Sequence, residues 1–373
     1  NLIIKPGHLG LILFITLLSL ITFRVVYSTP IEFNDESILK WQLGKTIYET
    51  KEWRLLLPAD PHESHHQLRW AVIVPQVLLA AFSPNGYQSY YVTPILFFSL
   101  FTVMCVSLYG RQVDTLLFSV LLGLVISFEP MGHVMASQLN TGAFGLLYLI
   151  LAIWFLVNYI SKGGLARLFL CSLFAFFSYG AHITYLVFWA VPVIFLVANQ
   201  RDYKAAIFFL VFLGIFYVAE MLVLMSISNE GISAGGRINR IVEAKGSGTT
   251  RFRGGELFEF SHLFYRWWLV PKYDFLILIG FLLGSFSLVY SSVRKSMPPG
   301  VWLCFYSAAI YGIAISFPII SLSPLRLALD LHSRYLALFF PLASVFLVWL
   351  FLFFVNNKGN HAVKVAVPLV SMV

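Results

Sequence analysis

The chain has 373 residues, of which 59% are hydrophobic and 11% are charged, and its mean hydropathy is +0.82. A soluble globular domain does not reach these values, so the composition predicts one integral membrane domain over residues 1–373. The net charge of +8 is interpreted first with the positive-inside rule, because most short connections carry Lys or Arg, and no basic helix interleaved with aromatics indicates a nucleic-acid partner.

Apolar runs recur along the whole chain and predict an all-α, polytopic bundle of transmembrane helices. A hydrocarbon core of about 30 Å needs about 20 apolar residues in a helix. Counting the runs gives about ten to twelve spans. The runs cover residues 9–27, 70–83, 89–109, 114–128, 141–160, 166–180, 182–199, 204–227, 275–293, 301–321, 335–355 and 362–373.

Basic residues in the short loops indicate the orientation of these spans. Five basic clusters are each separated from the next by two apolar runs, so they share one side, which the positive-inside rule assigns to the cytoplasm. These clusters are Arg111, Lys162 with Arg167, Arg201 with Lys204, Arg294 with Lys295, and Lys358. The outward side then carries the connections 28–69, 129–140, 180–182, 229–274 and 322–334.

The run 70–83 does not fit this count as a full crossing. Two apolar runs lie between the outward loop 28–69 and the inward Arg111, and only one crossing is allowed there. The run 70–83 is short, follows Arg69 and contains Pro75. We therefore predict a re-entrant or interfacial element that lines a cavity, where irregular backbone is tolerated at membrane depth.

Two outward loops are longer than simple connectors need to be. Loop 28–69 contains apolar residues at helical spacing, which predicts juxtamembrane helices that lie at the interface. Loop 229–274 begins with a stretch rich in Gly, Ser and Arg and ends in an aromatic belt. A flexible basic segment beside an interfacial anchor is typical of a lid over an anionic lipid headgroup.

Acidic residues follow the first predicted span. Asp35 and Glu36 stand near the outer membrane surface, where a carboxylate can act as general base on an incoming hydroxyl. The same stretch can instead begin a helix, with Asn34 or Asp35 as N-cap and Glu36 stabilised by the helix dipole. The two interpretations are compatible, and the sequence leaves both open.

A second polar group precedes the last complete span at its outer end. Arg326 and Arg334 flank His332, and Tyr335 follows. At headgroup depth an Arg presents a planar fork of donors that binds phosphate in a bidentate manner. The alternative is an Arg that only extends to the interface. Two arginines with a His between them favour a phosphate site.

Histidines and other polar residues recur on the outward side. His62, His65 and His66 lack the spacing of a zinc finger or a metalloprotease helix, so we predict sugar or phosphate contacts and no metal. Glu220 lies deeper in its span, so we predict that its carboxyl group pairs with another side chain within the bundle. The polar residues at outer span ends are Glu129, His133, Gln138, Asn140 and His182. Of these we assign to acceptor or sugar binding His133, Gln138 and His182.

Several short motifs stand in a recognisable order along nearly the whole chain. They are Asp35-Glu36, Gly44, Trp53, Arg69, Pro75 and Arg334-Tyr335. This order resembles the GT-C superfamily of membrane glycosyltransferases, specifically the polyprenyl-phosphate-sugar users related to protein O-mannosyltransferases and to the bacterial aminoarabinose transferase of lipid A. The chain departs from that pattern in having no middle-span Lys near His182, and no large soluble C-terminal domain is expected.

The resemblance implies roles for individual residues. Asp35 would deprotonate the acceptor hydroxyl, and Glu36 would support it. Arginines would neutralise the phosphate of the donor, and those expected to do so are Arg334, Arg326, Arg237, Arg240, Arg251 and Arg253. The remaining expected contacts to sugar or acceptor are Arg69, His332 and Tyr335. No cofactor is expected, because no nucleotide-binding motif occurs.

The function that these features predict is transfer of a sugar, with inversion, from a polyprenyl-phosphate carrier to a glycan or lipid acceptor outside the cytoplasm. The sequence has no Asn-x-Ser/Thr sequon, which favours a bacterial inner membrane with a periplasmic site and a surface polysaccharide such as O-antigen as the product. Two alternatives remain open. One is a polysaccharide polymerase or ligase that uses pyrophosphate-linked glycans, and the other is a flippase for lipid-linked sugars.

Overall fold

The fold is given by a computed structural model of the chain. It describes residues 35–56, 68–82, 88–113, 116–129, 135, 139, 141–227, 272–316, 319–322, 325–327 and 338–356. The predicted first span 9–27 and the last apolar run 362–373 lie outside these residues.

The described part of the chain is built almost entirely from helices. In chain order they are α1 (Asp35–Thr50), α2 (Trp70–Ala80), α3 (Gln88–Val113), α4 (Leu116–Phe128), α5 (Thr141–Lys162), α6 (Leu165–Ala181), α7 (Ile183–Gln200), α8 (Tyr203–Ile227), α9 (Lys272–Phe286), α10 (Ser291–Ser296), α11 (Pro299–Ser316) and α12 (Phe339–Asn356). Short 3₁₀ turns follow α1 at Trp53–Leu56 and α9 at Ser287–Val289. Because α9 begins at Lys272, the last residues of the predicted loop 229–274 belong to a helix.

Five of these helices are long and apolar enough to cross a membrane. They are Tyr90–Leu108 within α3, then α5, α7, α8 and α11. Five shorter apolar helices accompany them, at Trp70–Ala80, Leu117–Ile126, Leu165–Ala181, Asp274–Val289 and Phe339–Val355. The prediction of a helical membrane protein is confirmed, and the number of ten to twelve spans stays a prediction.

One small β hairpin departs from the predicted all-α fold. Strand β1 (Ile319–Leu322) pairs antiparallel with β2 (Leu325–Leu327), in a stretch assigned to the end of a span and the following loop. Pro318 explains why the helix stops early, since a residue before proline avoids the helical conformation, and α11 accordingly ends at Ser316. The β-branched residues that come next favour an extended chain.

The predicted helix in loop 28–69 is present as α1, and it packs on protein rather than only on the membrane surface. Its buried residue Ile47 joins Leu56, Ile73 and Val77 in one apolar cluster with α2. At Gly44 the two backbones come so close that an added Cβ would lie 2.5 Å from the Cβ of Gln76. Glycine at this position therefore permits the α1–α2 contact.

Helix α2 is too short to span a bilayer. Its 11 residues extend about 16 Å, roughly half of a hydrocarbon core. Pro75 lies inside it and has no N–H to give to the carbonyl of Ala71. The hydroxyl of Tyr148 on α5 donates to that carbonyl instead, at 2.9 Å. These features agree with the re-entrant or interfacial element predicted from run 70–83.

The span α7 is wound irregularly. It begins as a 3₁₀ helix at Ile183–Trp189, continues as an α-helix at Ala190–Ile194, and ends as a π-helix at Phe195–Gln200. Aromatic rings hold its first part in the core, where Phe188 stacks on Tyr311 of α11 with centroids 5.2 Å apart. This winding places the residue that precedes it, His182, in a buried turn between α6 and α7.

Candidate functional site

The first turn of α2 meets the last turn of α6. A Cβ added to Gly180 would lie 2.5 Å from the ring of Trp70 and 3.0 Å from the Cβ of Ala71. This close approach brings Arg69, which precedes Trp70, to the same junction as His182, which follows Gly180 by two residues. The side chains of Arg69 and His182 are both buried, each with 5% of its surface exposed. The structure thus brings together two residues that the sequence assigned to sugar or acceptor contacts.

Trp70 connects this junction to α8. Its indole N–H donates a hydrogen bond to Oε1 of Glu220 at 2.6 Å. Its ring lies between Phe176 and Phe177 of α6, at centroid distances of 5.7 and 5.4 Å. The pairing predicted for Glu220 within the bundle is confirmed, and a charge-assisted bond accounts for a carboxylate that is buried at this depth.

An apolar cavity of about 570 Å³ lies beside this hydrogen bond, between α2, α6 and α8. This volume is typical of ligand pockets in proteins, which measure about 300–1,000 Å³. Along α8 the lining extends from Ile227 to Phe216, a depth of about 16 Å at the rise of an α-helix. The other lining residues are Trp53, Leu56, Leu68, Trp70, Val74, Leu173, Phe176, Phe177, Ala219, Glu220, Val223 and Leu224.

Some of the residues that line the cavity are also exposed on the surface of the described bundle. Val223 and Trp53, which line it, are themselves 55% and 42% exposed. Arg69 stands in the chain between Leu68 and Trp70, both of which line the cavity. Arg69 is buried and is not itself one of the lining residues, which are apolar apart from Glu220. A wall of this composition suits a hydrocarbon chain.

His182 is held by the turn that it begins. Its Nδ1 accepts from the amide of Thr184 at 3.3 Å and lies 2.7 Å from the hydroxyl of the same residue. Because Nδ1 accepts from an amide, the neutral ring carries its proton on Nε2. The ring also packs near Tyr185, with centroids 5.3 Å apart. A fixed ring is a property that a substrate-binding histidine needs, and it equally serves to cap the turn.

The start of α12 approaches the same end of the bundle. A Cβ added to Gly142 at the start of α5 would contact the side chains of Met135 and Leu338. Leu338 is four residues beyond Arg334. In the same region the hydroxyls of Thr141 and Tyr185 lie 3.2 Å apart. Leu338, the first described residue before α12, therefore lies at the end of the bundle where α5 begins and α7 starts.

Most other predicted site residues lie outside the described part of the chain. Asp35 and Glu36 form the first residues of α1, where the backbone alone is described, and the same holds for Arg326 in β2. Outside the described residues are Arg334, Arg237, Arg240, Arg251, Arg253, His62, His65, His66, His133, Gln138, His332 and Tyr335. Over the ranges that the structure covers, no group of three metal-ligating side chains occurs.

The sequence analysis missed two residues of this region. The role of Trp70 as a hydrogen-bond donor could not be recognised from the sequence, because its partner Glu220 lies 150 positions away in the chain. Lys40 is only 1% exposed and lies on the same face of α1 as Gly44 and Ile47. The spacing of these three residues, at i, i+4 and i+7, is the signal that could have marked Lys40 as a buried cation close to Asp35.

No protein-family model matches this chain, and no curated protein matches it. The resemblance to GT-C glycosyltransferases therefore depends on the short motifs alone.

Proposed function

We propose that this chain is a GT-C-type membrane glycosyltransferase. It transfers one sugar from a polyprenyl-phosphate carrier to a glycan or lipid acceptor on the extracytoplasmic face, with inversion at the anomeric carbon. Its location in this proposal is a bacterial inner membrane, with the active site facing the periplasm and a surface polysaccharide as product.

The observation that supports the proposal most is the apolar cavity, whose lining includes Leu68 and Trp70, the chain neighbours of the buried Arg69. A polyprenyl phosphate has a long hydrocarbon chain and an anionic head, and it needs an apolar groove next to a cation. The cavity lies at the end of α8 that the charge pattern predicts to be outward. In this proposal the hydrocarbon chain occupies the cavity, and Arg69, which lies in the chain between two lining residues, binds the phosphate.

The chemistry assigned to the other residues is consistent with this binding mode. Asp35 takes the proton of the acceptor hydroxyl, and the acceptor oxygen attacks the anomeric carbon. The bond between that carbon and the phosphate oxygen breaks, and its electron pair stays with polyprenyl phosphate. Arginines stabilise the negative charge that develops on this leaving group. Attack from the face opposite the phosphate inverts the anomeric centre.

The experiment is a turnover assay on the full chain reconstituted in lipid. Radiolabelled polyprenyl-phosphate sugars are offered one at a time, and the release of polyprenyl phosphate is measured. We expect Asp35→Asn to lower kcat by at least about 10²-fold, the scale of a lost general base. Arg69→Gln should raise the KM for the donor. Ala219→Trp should do the same, because it fills the cavity from α8.

A matched control comes from the same helix as Asp35. Glu49 is an exposed acidic residue of α1 that forms a 3.8 Å ion pair with Lys45, so Glu49→Gln should leave turnover unchanged. The proposal is wrong if no polyprenyl-phosphate sugar is turned over, or if Asp35→Asn keeps full activity. Full activity of Asp35→Asn on pyrophosphate-linked glycans would favour the polymerase alternative.

A further inference from the structure

Three connections of the chain meet at the end of the bundle where α6 and α8 begin, opposite the cavity. The hydroxyl of Tyr159, near the end of α5, donates to Oδ2 of Asp202, just before α8, at 2.9 Å. The hydroxyl of Tyr306 on α11 donates to Oδ1 of Asn199, near the end of α7, at 3.0 Å. These bonds hold the connections α5–α6, α7–α8 and α10–α11 at one end. The exposed cations in and beside these connections form what we call the basic end, and they are Lys162, Arg201, Lys204, Arg294 and Lys295.

The positive charge of the basic end is not balanced within the described part of the chain. None of its five cations forms an ion pair with a described carboxylate. Asp202 is the acidic residue that the structure describes at this end, and both of its oxygens accept hydrogen bonds from neutral groups. Oδ2 accepts from Tyr159, and Oδ1 accepts from the amide of Ala205 at 3.0 Å. The basic end therefore presents positive charge to whatever lies outside the bundle.

Exposed aromatic rings accompany the basic end. The side chains of Tyr203 and Tyr290 are 61% and 49% exposed. Tyr is enriched at membrane–water interfaces, because its ring is apolar and its hydroxyl can stay in contact with water. Tyr203 adjoins Lys204 in the chain, and the carbonyl of Tyr290 accepts from the amide of Arg294 at 3.2 Å. The cations thus lie beside rings that are typical of headgroup depth.

Helix α10 holds two of the cations at the surface of the bundle. Val293 within it and Met297 just after it are buried in the main apolar core. Arg294 and Lys295, which stand between them in the chain, are exposed. Buried apolar residues next to exposed cations are typical of a segment that lies at the interface and meets anionic lipids.

We infer that the basic end binds the headgroups of anionic phospholipids. Lys and Arg bind phosphate oxygens through charge-assisted hydrogen bonds. In phosphatidylglycerol no cation of the headgroup neutralises the phosphate, whereas in phosphatidylcholine the choline does. Each Lys or Arg near an anionic membrane surface raises the affinity about fivefold. The basic end lies at the opposite end of the bundle from the proposed active site, so the inference stands whether or not the chain transfers a sugar.

The test is native mass spectrometry of the full chain in detergent micelles, titrated with phosphatidylglycerol or with phosphatidylcholine. We expect the first phosphatidylglycerol to bind at least about fivefold more tightly than the first phosphatidylcholine. Two double variants, Arg201→Gln with Lys204→Gln and Arg294→Gln with Lys295→Gln, should each weaken phosphatidylglycerol binding by at least about fivefold and leave phosphatidylcholine binding unchanged. The preference should shrink in about 1 M salt, where the Debye length is about 3 Å.

The matched control removes two cations from the other end of the bundle. Lys45 lies on α1 and Lys51 just after it, and α1 packs on α2 beside the cavity, so Lys45→Gln with Lys51→Gln should keep the preference. The two test variants replace exposed side chains, so their thermal unfolding in phosphatidylcholine should match that of the unmodified chain. Equal affinity for the two lipids, an unchanged preference in both test variants, or an equal loss in the control would each overturn the inference. Displacement of phosphatidylglycerol by inorganic phosphate would do the same, because the site would then take a free anion.

Discussion

The hydrogen bond between Trp70 and Glu220 gives the sharpest stability prediction. Trp70→Phe removes the indole donor and leaves the side chain of Glu220, which is 8% exposed in the unmodified chain, in place. A hydrogen bond to a charged group contributes about 1.5–3 kcal/mol, and the smaller ring leaves a void between Phe176 and Phe177. We expect Trp70→Phe to lower the free energy of unfolding by about 2–4 kcal/mol.

A double-mutant cycle isolates the hydrogen bond from the packing. Glu220→Gln keeps an acceptor oxygen of similar shape, so alone it should cost less than about 1.5 kcal/mol. Glu220→Leu removes the acceptor, and the coupling energy between Trp70→Phe and Glu220→Leu should be about 1–3 kcal/mol. The assay is equilibrium unfolding in mixed micelles, followed by circular dichroism. A coupling energy below about 0.5 kcal/mol would refute the reasoning, because independent sites add within that margin.

Two further substitutions test the packing of α2. Gly44→Ala should lower the free energy of unfolding by about 1–3 kcal/mol, because its Cβ would lie 2.5 Å from Gln76. Gly214→Ala, with no heavy atom within 4 Å of the added Cβ, is the control and should not destabilise the chain in the same assay. Tyr148→Phe should cost about 1 kcal/mol, and this cost should fall toward zero in a Pro75→Ala background that supplies a helical N–H to the same carbonyl. An unchanged cost in that background would contradict the assigned role of the hydroxyl.

Helices α1 and α2 were predictable because local signals specify them. The helical spacing of apolar residues indicates α1, and the short run with Pro75 indicates a short helix, which α2 is with its 11 residues. The hairpin at 319–327 was missed, although Pro318 carried the signal that the preceding helix ends early. A helix end within an apolar run of a membrane protein is hard to recognise, because the residues after the end of the helix are as hydrophobic as those before it.

The contacts that form the site depend on pairings that no local pattern contains. The chain separates Trp70 from Glu220 by 150 positions. Sequence periodicity shows which face of a helix is apolar, but not which helix will cover it. Glu220 could be recognised as a residue that needs a partner, since a carboxylate at that depth is costly. Its partner emerged only from the packing of α2 against α6 and α8.

The position of the cavity between α6 and α8 has a kinetic consequence for the proposed function. A polyprenyl phosphate that bound there from the membrane would arrive by two-dimensional diffusion within one leaflet, without passing through bulk water. The fraction of cavities that are occupied would then depend on the mole fraction of the ligand among the lipids rather than on its molar concentration in the sample. Adding empty micelles at constant total ligand should therefore slow binding by simple surface dilution, even though the protein itself is unchanged.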